Sequence, residues 1–189
     1  MYMKKGIIFL LVTAGVTIFF ILPLQTKNSI SSSAGSPTFE SFGIQRFQGK
    51  KEAIAFSLKD LNGNQVALND YRGKPMILFF WGSYCDACKE DIVLLEKFFE
   101  GKKDKLEILT IAIDGEREKR VKSVVKKNKI TLPVLLDVKE KIARNYGVRM
   151  IPTTFLINRE GWMEGMIVGQ RDWCGPTALS AIKELLDLR

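Results

Sequence analysis

Residues 75–99 read PMILFFWGSYCDACKEDIVLLEKFF and hold two cysteines, Cys85 and Cys88, between two patterned segments. The run before Gly82 is apolar throughout and short enough for a buried strand. Beyond the cysteines, apolar residues recur at the spacing of one helix face, at Ile92, Leu95 and Phe99. The pair is therefore expected where a buried strand leads into an amphipathic helix.

The predicted position of the cysteines has a chemical consequence. A thiol at a helix N-terminus faces unpaired N–H groups and the positive end of the helix dipole, which stabilise its thiolate. The spacing also lets the second sulfur reach the first across one turn. Cys85 is thus predicted as an exposed nucleophile, and Cys88 as the more buried thiol that resolves a mixed disulfide. A static disulfide and two ordinary buried thiols are the alternatives.

The composition narrows the chemistry further. The 189 residues include three cysteines and no histidine. This excludes catalysis by Ser-His-Asp or Cys-His, histidine-bound zinc or copper, and a four-thiolate metal site. Lys89 after Cys88 also excludes a Cys-x-x-Cys-His haem attachment site. Neither a metal nor a cofactor is expected.

The basic residues do not indicate a nucleic-acid site. The formal net charge of +8 comes largely from lysines and arginines in the second half of the chain. A nucleic-acid site would need exposed aromatic residues interleaved with them, and the sequence shows no such stripe. We assign these charges to solvated helix faces and expect no nucleic-acid partner.

The N-terminal segment differs from the rest of the chain. Residues 6–24 carry no charge, and Lys4 and Lys5 precede them. A helix of this length spans roughly 28 Å, close to the hydrocarbon thickness of a bilayer, and basic flanks stay in the cytoplasm. We predict a cytoplasmic stub at residues 1–5 and one transmembrane signal-anchor helix at residues 6–24. A cleaved signal peptide is the alternative.

Under either interpretation the rest of the chain is exported. The protein is expected in the inner (cytoplasmic) membrane as a single-pass protein, with its catalytic domain facing the periplasm or the cell exterior. Residues 25–48 are rich in serine and are interpreted as a flexible tether. Residues 49–189 carry the periodic patterns of one folded domain.

Within that domain, apolar runs alternate with turn signals. Strands at residues 53–58 and 65–68 flank Asn62-Gly63-Asn64, a strong hairpin signal. The later elements are predicted as a strand at 106–113, a helix at 116–128, a short strand at 133–136, a helix at 140–146, a hairpin of 153–158 with 163–168, and a helix at 178–188. This order predicts an α/β sandwich with a mixed sheet.

Several segments together resemble one known family. Residues 80–90, FWGSYCDACKE, are similar to the active-site segment of thioredoxin-like proteins. In particular, they resemble the TlpA-like, membrane-anchored thiol–disulfide oxidoreductases, which include cytochrome c maturation proteins. The other matching segments are LKDLNG (58–63), DYRGKP (70–75), YGVR (146–149) and IPTTFLI (151–157), followed by Gly161.

The resemblance implies both a fold and an activity. The fold is a thioredoxin-like three-layer sandwich with a mixed central sheet and an N-terminal β-hairpin. The activity is thiol–disulfide exchange by Cys85 and Cys88, which reduces disulfides of exported proteins such as apocytochrome c. Each turnover would leave the pair oxidised, so a membrane electron donor is an expected partner.

The resemblance also implies which residues support the cysteine pair. The Ile151–Pro152 bond is expected to be cis and to abut the cysteines, so that a client strand pairs with the backbone at residue 151. Trp81 belongs to the matching segment. Tyr84 stands where relatives carry tryptophan and keeps an aromatic wall beside Cys85.

Acidic residues are expected to adjust the chemistry of the pair. Asp86 lies between the cysteines, where its negative charge opposes thiolate formation and favours a reducing pair. Phe79 stands where cytoplasmic thioredoxins carry a buried aspartate. Asp91 matches a position where relatives carry glutamate, and it is the candidate to handle the Cys88 proton, with Glu90 as substitute. Stabilising the first helical turn is the alternative role of Asp91.

The sequence leaves two alternative functions open, and it contains a third cysteine outside the pair. A peroxidase of the peroxiredoxin type is a second enzymatic possibility, although Leu78 and Gly82 replace the Pro and Thr that shape a peroxide pocket. A copper-delivery module is a non-enzymatic possibility, which the lack of histidine disfavours. Cys174 is interpreted as a small core residue, with an intermolecular disulfide as the alternative.

Overall fold

Strand β4 (Met76–Trp81) is the centre of the structure, a computed structural model that describes residues 37–186. All six residues of β4 are buried. Side chains of a strand alternate between its two faces, and those of β4 enter two separate core clusters. The first core cluster receives Ile77, Phe79 and Trp81, and the second receives Met76, Leu78 and Phe80. Since both faces of this strand are covered, its sequence is apolar without alternation.

The elements follow one another closely along the chain. In order they are α1 (Pro37–Phe42), β1 (Gln45–Arg46), β2 (Ser57–Asp60), β3 (Gln65–Ala67), a 3₁₀ turn (Leu68–Tyr71), β4, α2 (Asp86–Phe99), β5 (Glu107–Ala112), α3 (Glu118–Asn128), β6 (Val134–Leu136), α4 (Lys141–Asn145), β7 (Thr153–Ile157), β8 (Met163–Val168) and α5 (Pro176–Leu186).

The strands form one mixed sheet in the order β1-β8-β7-β4-β5-β6-β2-β3. Neighbours β4, β5 and β6 run parallel, and the other pairs are antiparallel. Buried residues of α2, α3 and α5 belong to the first core cluster, whereas those of α4 belong to the second. The helices therefore cover both faces of the sheet, which confirms the predicted thioredoxin-like α/β fold with a mixed sheet.

The N-terminal hairpin is confirmed, with a shorter first strand than predicted. The Asp60 carboxylate accepts hydrogen bonds from the backbone of Asn62 and Asn64, each at 2.8 Å, and Gly63 has a φ of 87°, which suits a glycine in the turn. Strand β2 begins at Ser57 rather than Ala53. The reason is that Ala53 donates its N–H to Gly161 on another loop instead of extending the hairpin.

The predicted tether is wrong for residues 37–48. Residues Pro37–Phe42 form a helix, and Gln45 and Arg46 pair with β8. Phe39, Phe42 and Ile44 are each at most 6% exposed and belong to the first core cluster. The serine-rich composition just upstream suggested flexibility, but these three apolar side chains bury enough surface to order the segment.

The predicted membrane span lies outside the described residues, as do the stub at residues 1–5 and residues 25–36 of the tether. Among residues 37–186, the helices are too short or too polar to cross a bilayer.

Candidate active site

The two cysteines form a disulfide at the start of α2. Their sulfur atoms are 2.17 Å apart. Cys85 is the N-cap residue of the helix, and its Sγ accepts the Cys88 N–H at 3.1 Å. Cys85 is partly exposed, whereas Cys88 has no exposed surface. The arrangement gives an incoming partner access to Cys85 first, as the sequence predicts.

The backbone at residue 151 faces the disulfide. The Ile151–Pro152 bond is cis, as predicted, and the Ile151 carbonyl oxygen lies 4.0 Å from Cys85 Sγ. Residue 151 is separated from Cys85 by 66 positions in sequence. The order of β4 and β7 in the sheet brings the two segments together, since these strands are antiparallel neighbours.

The two predicted aromatic residues occupy different environments. Trp81 is fully buried at the end of β4, in the same core cluster as Cys88. Tyr84 is 52% exposed, and its ring lies against Gly82, where an added β-carbon would be 2.7 Å from Tyr84 Cε1. Tyr84 thus forms an exposed aromatic surface beside Cys85, whereas Trp81 packs in the core cluster that contains Cys88.

Asp86 has less influence on the cysteines than the sequence suggests. Its side chain is 90% exposed and forms an ion pair with Lys89 at 2.5 Å. The hydrogen bond from Lys89 lowers the pKa of Asp86. Since a solvated and paired carboxylate exerts a weak field on its neighbours, Asp86 gives little support to the prediction of a reducing pair.

Asp91 is a buried carboxyl group on the helix that carries Cys88. Only 1% of it is exposed, and it lies beyond the first turn of α2. Its Oδ1 accepts the backbone N–H of Arg171 at 3.0 Å, while Oδ2 has no hydrogen-bond partner among the described residues. Burial raises the pKa of Asp91 to about 7, although Arg171 and the nearby Trp173 indole oppose the shift. A role restricted to the first helical turn does not fit this position.

Arg171 connects Asp91 to the N-terminal segment, a link that the sequence does not reveal. The guanidinium donates from Nε to the Phe42 carbonyl at 2.9 Å. Trp173, close by, packs edge-on against the ring of Phe42 with centroids 5.3 Å apart. Gly43 has a φ of 75°, and a β-carbon there would collide with the Arg171 guanidinium. The segment at residues 37–48 therefore packs behind the buried carboxyl group.

A second buried carboxylate holds the loop before Cys85, and it was also missed. Asp114 follows β5 and is bonded to Ser83, and both residues are buried. The signal available in the sequence is an aspartate directly after an apolar strand, at the strand edge where α2 begins.

Cys174 is exposed, so its assignment to the core is wrong. Its N–H donates to the Asp172 carboxylate at 3.1 Å, and its Sγ lies 3.8 Å from the Leu94 carbonyl. The neighbouring Trp173 is the residue of this loop that enters the core, at 1% exposure. The turn after it leaves the thiol at the surface.

The peroxidase alternative gains no support from the two positions that it depends on. Leu78 is fully buried in the second core cluster, while Cys88 belongs to the first. Gly82 is covered by the Tyr84 ring. Neither position offers a polar group beside Cys85. Among residues 37–186, no group of three or more cysteine or acidic side chains could hold a metal ion.

The fold and the site together define a class of protein. A thioredoxin-like sheet presents a disulfide at a helix N-terminus, against the backbone before a cis proline. This is the arrangement of a thiol–disulfide oxidoreductase.

Comparisons with known proteins agree with this class. Residues 50–166 match the AhpC/TSA family. The chain is 32% identical over 145 residues to the thiol-disulfide oxidoreductase ResA of Bacillus thuringiensis (strain Al Hakam), covering 75% of this chain and 83% of that protein. It is 30% identical over 171 residues to ResA of Bacillus subtilis (strain 168), covering 89% and 85%.

A solved structure extends the agreement to the fold. A putative thiol:disulfide interchange protein DsbE from Chlorobium tepidum superposes with a TM-score of 0.64 and 25% sequence identity, covering 72% of this chain and 99% of that one. The chain belongs to the AhpC/TSA family, and its ResA-type homologues place it among the thiol-disulfide oxidoreductases.

Proposed function

We propose that this oxidoreductase works as a reductant of disulfides in exported proteins. The unequal exposure of the two sulfurs carries the exchange chemistry, and the resemblance to cytochrome c maturation proteins supports the reducing direction. Cys85 is partly exposed at the N-terminus of α2, where its sulfur accepts a backbone N–H, and Cys88 is completely buried behind it. A thiolate at Cys85 is therefore both accessible and stabilised.

The exchange proceeds in two steps. The Cys85 thiolate attacks one sulfur of a client disulfide, which forms a mixed disulfide and releases the other client sulfur as a thiolate. The Cys88 thiolate then attacks Cys85 Sγ, which closes the Cys85–Cys88 disulfide and releases the second client thiolate. Two electrons pass to the client, so a donor of two electrons must reduce the pair before the next cycle. A membrane electron donor fits this requirement.

The surface around Cys85 supports a polypeptide client. Among the described residues, the exposed large apolar side chains are Tyr84, Val138 and Met150. Two of these three belong to the segments that meet at the disulfide, since Tyr84 precedes Cys85 and Met150 precedes Ile151. Exposed apolar residues beside a reactive group are typical of a binding surface. Apocytochrome c, whose haem-attachment thiols must be kept reduced, is the client suggested by the resemblance to cytochrome c maturation proteins.

Asp91 is proposed as the group that accepts the Cys88 proton. It is buried on the same helix as Cys88, three residues further on, and burial raises its pKa to about 7. A base whose pKa lies near the working pH is suited to proton transfer. Above this pH the ionised carboxylate can accept the proton that Cys88 must lose before it attacks Cys85.

Replacing Asp91 with Asn is expected to remove a pH dependence of stability. The folded-state pKa lies above the ordinary value of 3.8, so the folded protein binds this proton more tightly than the unfolded chain. Stability should therefore fall as the pH rises from about 4 to about 7, at up to about 1.4 kcal/mol per pH unit. Urea titrations of the oxidised protein measure this without interference from the thiols of the pair.

The matched control for this experiment is Glu90→Gln. Glu90 is the exposed neighbour that accepts a hydrogen bond from Gln170, and its replacement should leave the slope in place. In the reduced protein, Asp91→Asn should slow the resolving step by about 10²-fold near pH 8. Equal slopes in Asp91→Asn and the unaltered protein would show that Asp91 is not the titrating group.

Residues 6–24 are proposed to anchor the protein in the cytoplasmic membrane, with the domain outside. The uncharged run and the preceding lysines support this topology. The exposed Cys174 thiol provides a reporter. A membrane-impermeant maleimide applied to intact cells labels Cys174 only when the domain lies outside the membrane. A Cys85→Ser/Cys88→Ser background removes the other thiols, and Cys174→Ser in that background is the blank.

The direction of electron flow is tested by the reduction potential of the Cys85/Cys88 couple. We expect a value nearer to about −270 mV, typical of thioredoxin, than to about −120 mV, typical of a strong oxidant. Equilibration with dithiothreitol buffers measures it, in a Cys174→Ser background that leaves one pair of thiols. The same protein should reduce insulin and a disulfide-bonded Cys-x-x-Cys-His peptide. A reduction potential at the oxidising end of this range would instead make the protein an oxidant of exported thiols.

A further inference from the structure

The loop that carries Cys85 is fixed by a single buried carboxylate. The Ser83 N–H donates to both oxygens of Asp114, at 3.0 Å and 2.9 Å, and the Ser83 hydroxyl donates to Oδ1 as well. Asp114 is 2% exposed and Ser83 is 8% exposed. Ser83 lies two residues before the nucleophile, in the short connection between β4 and α2.

The contact with Ser83 supplies hydrogen bonds to the Asp114 carboxylate, which is excluded from water. A buried carboxylate is stable only when its oxygens are hydrogen-bonded. Among the described residues, Ser83 is the donor of every hydrogen bond that the side-chain oxygens of Asp114 accept. None of the ion pairs among those residues includes Asp114. The two residues are 31 positions apart in sequence. The contact therefore ties the end of β5 to the start of the active-site loop.

The turn that follows Asp114 contacts the next residue of the same loop. Arg117 donates from Nε to the Asp114 backbone carbonyl at 2.9 Å. Its guanidinium lies over the ring of Tyr84, with Cζ 5.2 Å from the ring centroid, at a distance that gives a favourable cation–π contact. Residues 114–117 thus hold both residues that directly precede Cys85.

We propose that Asp114 is a positioning residue that acts through Ser83 to hold Cys85 at the helix N-terminus. The geometry that it maintains is the contact of Cys85 Sγ with the Cys88 N–H, at 3.1 Å, beside the Ile151 carbonyl. A looser loop moves the sulfur away from the N–H groups that stabilise its thiolate. The negative charge of Asp114 has the opposite influence, because a nearby carboxylate disfavours a thiolate. The proposal rests on the proposed role of Cys85 as the nucleophile.

The pH dependence of Cys85 alkylation distinguishes a positioning effect of Asp114 from an effect of its negative charge. Reduced protein in a Cys174→Ser background is treated with iodoacetamide across a pH series, and modified Cys85 is quantified by peptide mass spectrometry. Asp114→Ala is expected to raise the midpoint pH by about one unit and to slow alkylation near pH 7 about tenfold. Ser83→Ala removes one of the bonds and should shift the midpoint in the same direction by less. Asp114→Asn keeps one acceptor oxygen and should also shift it upward, by less than Asp114→Ala.

A matched control lies in β5, the strand that precedes Asp114. Thr110 in β5 is fully buried and donates from Oγ1 to the Pro133 carbonyl at 3.0 Å. Thr110→Val loses a buried hydrogen bond away from the loop and should leave the midpoint unchanged. Should Asp114→Ala fail to fold, Ser83→Ala and Asp114→Asn give the answer.

The possible results are separable. An unchanged midpoint in the Asp114 and Ser83 variants would overturn the positioning role, and a lowered midpoint in Asp114→Asn would show that Asp114 acts by its charge. Either result leaves the proposed function intact if the unaltered Cys85 is alkylated below the pH range of an ordinary thiol. An ordinary midpoint in the unaltered protein would instead count against Cys85 as the activated nucleophile.

Discussion

Cys88→Ser is expected to stop the reaction at the mixed disulfide and to lower multiple-turnover reduction of insulin by at least about 10³-fold. The buried Cys88 sulfur is the group held next to Cys85. Without it, release of the client depends on an external thiol, which lacks the advantage of a positioned intramolecular group. Cys85 keeps its partial exposure and can still attack. The variant should therefore accumulate a covalent adduct with its client.

Non-reducing electrophoresis and intact mass measurement detect the adduct. Cys85→Ser is the paired variant, and it should lose activity equally without forming an adduct, because the remaining thiol of the pair is buried. Both variants need the Cys174→Ser background, since Cys174 is an exposed thiol that could form adducts of its own. An adduct in Cys85→Ser and none in Cys88→Ser would reverse the assigned roles.

Phe42→Ala is expected to destabilise the protein by about 3–5 kcal/mol. Phe42 is 3% exposed, and its ring packs edge-on against Trp173. Truncation would leave a cavity beside Trp173, because the surrounding α5 helix and sheet are already close-packed. If residues 37–48 were a flexible tether, the same change would cost almost nothing. Denaturant unfolding monitored by circular dichroism measures the difference.

Gln45→Ala is the control for Phe42→Ala within the same segment. Gln45 is exposed in β1, and a surface substitution of this kind usually changes stability by less than about 0.5 kcal/mol. Comparable losses in both variants would mean that the segment responds to any change. A loss confined to Phe42→Ala would assign the stability to the buried aromatic contact.

Much of the fold follows from patterns within single segments. The apolar run of β4 and the helical spacing of α2 predict both elements and place the cysteines at their junction, where the structure has them. The turn at Asn62-Gly63 predicts the hairpin. These features depend on neighbours in sequence, so local periodicity and turn chemistry are sufficient.

The features that were missed depend on contacts between distant segments. Arg171 and Phe42 are 129 positions apart, and Ser83 and Asp114 are 31 apart. No local pattern distinguishes a serine or an arginine that makes such a contact from one that faces water. The resemblance to relatives predicts a role for Asp91, but the burial of its carboxyl group depends on segments distant in sequence. The serine-rich composition of residues 25–48 predicts a flexible tether, whereas the burial of three apolar side chains keeps residues 37–48 folded.

The two-residue strand β1 has a consequence for the solution behaviour of the domain. It pairs with Gly165 and Met166 and so covers part of the outer edge of β8. A shortened chain that starts at residue 49 would leave the edge of β8 unpaired at Gly165 and Met166, and Trp173 would lose its contact with the ring of Phe42. Free edges of this kind recruit strands from other molecules. The boundary chosen for soluble expression should therefore precede residue 37, or self-association will be mistaken for a property of the native protein.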